Sequence, residues 1–365
     1  MRWPWKRSST DKHLVISWSG QTFAYVLATG NAAKGVTVLE SGVRRDCSDD
    51  FQEVVNNLKA FNLENLKVSV MLRPSQYQLL QIESPSVAPD ELRAAARYQI
   101  RDMLDIPIDE VTLDLIRVGD GQKKGAAHLF VVATPTVVIR NVLDLCQAMH
   151  WTASVIDIHE TAQRNLQTAL SAHHGRINQA QAALVWVDEF QTVLTISANG
   201  ELFYARRFDL SQGLTADFQN AAINAPEQFL EPVPEFSDSI NYESEYEESA
   251  AYLDSHNTFT PKYIAPPTPL DDVWNENQAE RFLTELKRSF DLWDRLWPSM
   301  PLGAMWLYAG TRTEDLATWL SPELGQKVQP MDVKFLFPGF EVPAADEALC
   351  LPLLGILLRT EGRTF

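Results

Sequence analysis

The sequence predicts an α/β fold of two similar halves, with a small α/β module inserted into the first and an acidic insertion in the second. Three observations carry this expectation. A three-stranded meander opens the chain at 12–41, the same strand-turn-strand-turn-strand pattern returns at 183–209, and a separate run of helix and strand signals lies between them at 86–158. A chain of 365 residues exceeds one ordinary core, and its 45% apolar content can fill a large one.

The opening strands are KHLVISWS, TFAYVLAT and VTVLES, rich in β-branched and aromatic residues and broken by SGQ and TGNAAKG. A helix over 49–61 follows, because Phe51, Val54, Val55, Leu58 and Phe61 fall on one face. The strand signals LKVSVML (66–72) and YQLLQIE (77–83) complete a first half spanning 12–85 and 159–180. Within the module at 86–158, Pro89, Asp90 and Glu91 mark the start of a helix running to about Leu104. VTLDLIRVG and AAHLFVVAT flank the turn-rich GDGQKKG as a hairpin. The helix VVIRNVLDLCQAMH and the strand ASVIDI close an αββαβ unit.

The second half spans 181–365, opening with AALVWVDE, TVLTISANG and ELFYARRFDL. Residues 225–275 then carry eleven Asp and Glu against one Lys, with seven prolines, a composition that cannot build a packed core and predicts a disordered insertion. Order resumes with a helix in which Phe282, Leu286, Phe290, Trp293 and Trp297 recur at helical spacing, a stripe read as core. A strand AMWLYAG, a helix near TEDLATWLS and the apolar helix ALCLPLLGILL finish the chain. Two meander-led halves describe an actin-like, ribonuclease H-like duplication better than a Rossmann fold.

A formal charge of −17 excludes a nucleic-acid partner, which needs concentrated Lys and Arg. Cys47, Cys146 and Cys350 are odd in number and far apart, which fits neither a disulfide framework nor a CxxC metal site and implies a reducing compartment. The longest apolar run, residues 349–358, is about half of what crosses a bilayer, so no transmembrane helix is expected. Residues 1–11 lack the apolar stretch of a secretory signal. Trp3 and Trp5 beside Lys6 and Arg7 combine interface-seeking indoles with charges drawn to anionic lipid, and a tail with chance tryptophans is the bland alternative.

Catalytic motifs are missing. There is no GxxxxGK[ST] phosphate loop, no GxSxG elbow and no HxxxH or HExxH, so neither a catalytic residue nor a metal site is assigned. Asp157, His159 and Glu160 sit at a strand-to-helix junction, where capping of free amides is the favoured reading over catalysis.

The stretches at 74–116 and 129–166 and the segment ANGELFYARRFDL resemble the PilM-like family of type IV pilus assembly proteins, in its MshI form from MSHA-type pili. The resemblance spans nearly the whole chain outside the acidic insertion. It implies an actin-like fold, a cytoplasmic position peripheral to the inner membrane, and docking to the cytoplasmic peptide of a PilN-like bitopic protein, with a pilus motor ATPase as a further partner. Where the family carries DIGSSS, this chain reads SWSGQT, placing Ser17 at the Asp position and Ser19 at the Gly position. In the second meander Trp186 stands at the acid position and Asp188 at the Gly position, and a bulky indole there would obstruct a phosphate. The adenosine loop keeps only Gly310.

These departures imply a non-catalytic scaffold with no expected cofactor and doubtful binding of ATP and Mg²⁺. One alternative is an ATP switch that grips nucleotide through Ser17, Ser19, Gln21, Thr22 and Asp188. Another is the cytoplasmic platform of a type II secretion system. For the partner peptide, the exposed face of the 90–104 helix offers Arg97, Tyr98, Arg101 and Asp102, with Leu92, Ala96 and Ile100 turned inward.

Overall fold

In a computed structural model the described residues are 12–19, 22–45, 55–56, 66–118, 128–176, 179–187, 191–209 and 278–360. The basic tail, most of the helix expected at 49–61, the GDGQKKG turn and the acidic segment 225–275 lie outside them.

The first sheet takes β1 (Lys12–Ser19), β2 (Thr22–Asn31), β3 (Gly35–Arg44), β4 (Lys67–Met71) and β8 (Thr152–Asp157) in the order β3-β2-β1-β4-β8. The meander pairs are antiparallel, and β1-β4 and β4-β8 are parallel. The second sheet repeats this arrangement with β9 (Ala180–Trp186), β10 (Gln191–Ala198), β11 (Glu201–Asp209), β12 (Leu302–Tyr308) and β13 (Val328–Pro330), ordered β11-β10-β9-β12-β13. The fold is therefore a duplicated, actin-like α/β architecture with two mixed sheets and a smaller third one.

That third sheet is antiparallel, β5-β7-β6, from Gln78–Glu83, His128–Pro135 and Val111–Val118. Its membership corrects the αββαβ reading of 86–158. The strand at 77–83 pairs with β7, whereas ASVIDI leaves the module to lie beside β4 in the first sheet. The physical reason is that strand partners are chosen by faces to be buried across the whole fold, not by proximity in sequence.

Two helices fill the layer between the large sheets. Helix α3 (His159–His173) follows the first sheet but lies on the second, where the buried Gln163 amide donates to Ala183 O at 2.7 Å and Gln167 donates to Gln181 O at 2.8 Å. Helix α6 (Ala344–Leu357) follows the second sheet but covers the first, its Leu351, Leu353 and Leu354 joining Val15, Val26 and Val38 in one core. Each half thus lends a helix to the other. The two helices touch so closely that a Cβ on Gly355 would collide with the Ala162 carbonyl.

Helix α2 (Thr136–Ala148) packs Val142, Leu145 and Cys146 on the outer face of the first sheet. Helices α4 (Gln278–Leu296) and α5 (Thr313–Glu323) cover the outer face of the second, and Phe282, Leu286, Phe290 and Trp293 are buried there as their spacing predicts. Helix α1 (Leu92–Ile100) covers one face of the third sheet with Leu92, Ala96 and Ile100. The opposite face bridges the halves: Val118 and Phe130 are buried in the second-half core, and Val132 packs on the first.

Residues 338–346 also grip the far edge of the first sheet. Val38 N–H donates to Pro338 O at 2.8 Å, Ser41 Oγ to Glu341 O at 3.2 Å, and Arg45 pairs with Asp346 at 2.5 Å. This covers an edge strand that would otherwise be a template for pairing with another chain.

Candidate functional site

In open α/β sheets ligands bind beyond the carboxyl ends of the parallel strands. Here those ends belong to β1, β4 and β8 in one sheet and β9, β12 and β13 in the other. Ser17 is 2% exposed, shares the face of Val15 toward the helical layer, and its Oγ has no hydrogen-bond partner among the described residues. Ser19 ends β1 opposite Thr22, while Gln21 and Asp188 lie outside the described residues.

Trp186 is only half-buried and packs against the outer core of the second sheet, with Leu184, whereas Val185 faces the layer between the sheets. The period-2 alternation of β9 therefore turns the indole away from the crevice, contrary to the expectation that it obstructs a phosphate. Gly310 has φ +58 and open space where a Cβ would stand, and Thr313 Oγ closes its turn by donating to Gly310 O at 2.7 Å.

The start of α3 holds the most heavily buried charges. The Arg207 and Glu160 side chains are 6% and 1% exposed and pair at 2.8 Å. Arg207 comes from β11 in the second sheet, whereas Glu160 is in the helix that leaves the first. Arg207 Nη1 also donates to Pro74 O at 2.8 Å, and its guanidinium lies 4.4 Å from the centre of the Tyr77 ring. Tyr77 donates to Glu160 Oε2 at 2.5 Å and accepts from His159 N–H at 3.2 Å.

Burial, with the Glu160 carboxylate alongside, holds the Tyr77 phenol well above its usual range. Burial works against charge on Arg207, yet Glu160 and Tyr77 keep its guanidinium firmly protonated. The His159 imidazole is pushed down to about 3 by burial and by the nearby Arg207 and Arg73, so it is neutral at physiological pH.

The capping expectation for this junction holds only for Asp157, which accepts from Ile158 N–H at 3.0 Å and from Thr161 Oγ. Its other oxygen pairs with Arg359 at 2.6 Å. Glu160 caps nothing; a buried arginine competes for it more strongly than solvated amides do. Sequence reading missed this network, although ARRFDL carried a signal, since one of two adjacent arginines in a half-apolar strand must point inward.

Both carboxylates at this junction are thus engaged, and Ser17 and Trp186 supply none. No cluster of three His, Cys, Asp or Glu is placed to hold a metal among the described residues.

On the module, Tyr98 is 76% exposed, with Arg101 5.5 Å above its ring and paired with Asp102 at 3.1 Å. Arg97 departs from the expected exposed set. It donates to Ile108 O and Val111 O, each at 2.7 Å, and so fastens α1 to its own sheet. Trp3, Trp5, Lys6 and Arg7 lie outside the described residues. Among the described residues no helix is long and apolar enough to cross a membrane.

No protein-family model matches the chain, and no curated protein does. Solved structures do. A PilM-PilN type IV pilus biogenesis complex is similar at 17% identity and TM-score 0.61, over 95% of this chain and 99% of that one. A Bacteroides thetaiotaomicron protein with an actin-like ATPase fold and unknown function is similar at 12% identity and TM-score 0.45, over 96% of both chains. The cytoplasmic domain of EpsL, an inner membrane component of the Vibrio cholerae type II secretion system, is similar at 15% identity and TM-score 0.38, over 71% of this chain and 90% of that one.

Proposed function

We propose that this chain is a non-catalytic scaffold of type IV pilus biogenesis, of the MSHA type, working at the cytoplasmic face of the inner membrane. It docks the cytoplasmic peptide of a PilN-like bitopic protein and links it to the pilus motor ATPase. The observation that carries this reading is a fold shared with the PilM-PilN complex structure along nearly the full length of both chains. The exposed Tyr98, with Arg101 and Asp102 beside it, supplies an aromatic anchor flanked by both signs of charge on the module.

The non-catalytic part rests on residue chemistry. Phosphoryl transfer needs a metal-organising carboxylate and positioned donors. Ser17 and Trp186 stand where the resemblance expects acids, and the nearby Glu160 and Asp157 are bound to arginines. A nucleotide-binding switch of the same fold is favoured by one observation, the buried Ser17 hydroxyl, which has no partner among the described residues and can donate to a phosphate oxygen.

Two measurements on the full chain test the reading. Calorimetry should find no micromolar, Mg²⁺-dependent ATP affinity; finding one would favour the switch. The cytoplasmic peptide of the bitopic protein encoded beside this chain should bind, and Tyr98→Ala/Arg101→Ala should weaken it. Failure of the wild-type chain to bind rejects the partner, and unweakened binding by the variant rejects the surface.

A further inference from the structure

The second sheet ends at β13, the edge farthest from the third sheet, and a groove of about 620 Å³ runs along it. Helix α5 forms one wall, and the carboxyl end of α3 with residues 332–335 forms the other. Its chemistry is one-sided. Pro330 has no N–H, and the Val328 N–H is taken by Ser321 Oγ at 3.1 Å. Met331 N–H turns inward to Leu307 O at 2.7 Å. The outward backbone of β13 therefore presents carbonyl acceptors without donors, and strand addition by another chain is blunted.

The rest of the groove adds acceptors and π faces. Glu314 and Asp332 place two exposed carboxylates on it. The α3 helix ends there, bringing the negative pole of its dipole. Phe335, 45% exposed, meets the His173 ring at a tilt with centres 4.2 Å apart, and His174 lies 5.2 Å from the Trp306 ring. Among the described residues of the lining, Lys327 is the single Lys or Arg.

We propose that this groove binds an arginine side chain presented by an extended segment of a partner protein. A guanidinium carries five donors and no acceptor and stacks its flat face on aromatic rings, so it complements carboxylates, outward carbonyls and exposed rings together. Lysine would satisfy the charge but neither the planar fork nor the stacking. The site lies at the opposite edge of the second sheet from the strand that meets the third, so it is separate from the peptide surface proposed above.

The test uses the full chain labelled with 5-fluorotryptophan, the Trp306 resonance assigned by Trp306→Phe, and two probes, acetyl-Arg-Gly-Arg-amide and acetyl-Glu-Gly-Glu-amide. The arginine probe should shift the Trp306 resonance saturably and the glutamate probe should not. Glu314→Gln/Asp332→Asn, which keeps the Asp332 Oδ1 acceptor for Lys334 N–H, should bind about tenfold more weakly with an unchanged melting temperature. Phe335→Ala should also weaken binding while leaving both carboxylates in place. Equal affinity in these variants, or a Trp306 resonance that does not move, overturns the proposal. If a chain lacking residues 1–11 binds the probe tenfold tighter than the full chain, the groove is filled by the chain's own basic tail, and the assignment to a partner falls.

Discussion

Arg207 Nε stands 3.0 Å from Glu160 Oε1 and joins a strand of one half to a helix of the other in a nearly water-free setting. Removing one partner strands a buried charge, at a typical cost of about 3–5 kcal/mol, whereas apolar replacement of both costs much less. Glu160→Gln should therefore lower stability sharply in urea unfolding. Glu160→Leu/Arg207→Met should recover most of the loss, and equal loss in both variants would show that the pair has no special weight.

Acid should weaken the fold through one buried and one half-buried histidine. His159 is lowered to about 3, and burial together with Lys67 lowers His13 to about 4. Both are neutral when folded but take up protons when unfolded below about 6.5. Their contribution is whole above that value and is lost as the pH falls toward their folded values, by at most about 1.4 kcal/mol per pH unit for each group. The melting temperature should drop between pH 7 and 4, and His159→Gln should flatten the profile. A slope unchanged by that substitution would assign the acid sensitivity elsewhere.

Phe130 ties the third sheet to the second-half core and is 2% exposed. Truncation to Ala should cost about 3–5 kcal/mol. Because the residue lies on the bridging face, hydrogen exchange should speed up in β5, β6 and β7 more than in β1 or β9. A uniform increase would argue against a local tie.

Gly355 gives a prediction in which two effects compete. Alanine in a helix interior normally gains about 0.8–1.0 kcal/mol over glycine. Here its Cβ would meet the Ala162 backbone, and overpacking costs about 1–3 kcal/mol. Gly355→Ala should thus destabilise, and Gly355→Val should do so further. A stabilised Gly355→Ala would mean that α3 and α6 can separate freely.

Much of this architecture is legible in the residues because it depends on local periodicity. The alternation in KHLVISWS and TFAYVLAT places one face in each of two cores, and Leu92, Ala96 and Ile100 announce the buried side of α1. What escapes is settled by partners far along the chain. Nothing within ASVIDI states that it pairs with β4, nothing within HETAQ states that an arginine 47 residues on will claim Glu160, and helical spacing alone cannot separate the anchored Arg97 from the exposed Arg101. Crevice positions suffer most, since Trp186 and Val185 are adjacent in sequence yet face opposite layers.

The exchange of helices between halves bears on how the chain matures. The inner face of the first sheet is made from β1, β2 and β3, but its cover, α6, and the clasp on β3 come from far downstream, with bonds spanning 300 positions. Contacts of such separation form late and slowly. During synthesis that apolar face must wait until its distant cover has left the ribosome, a long exposure in which chaperone protection matters and truncated products are prone to aggregate.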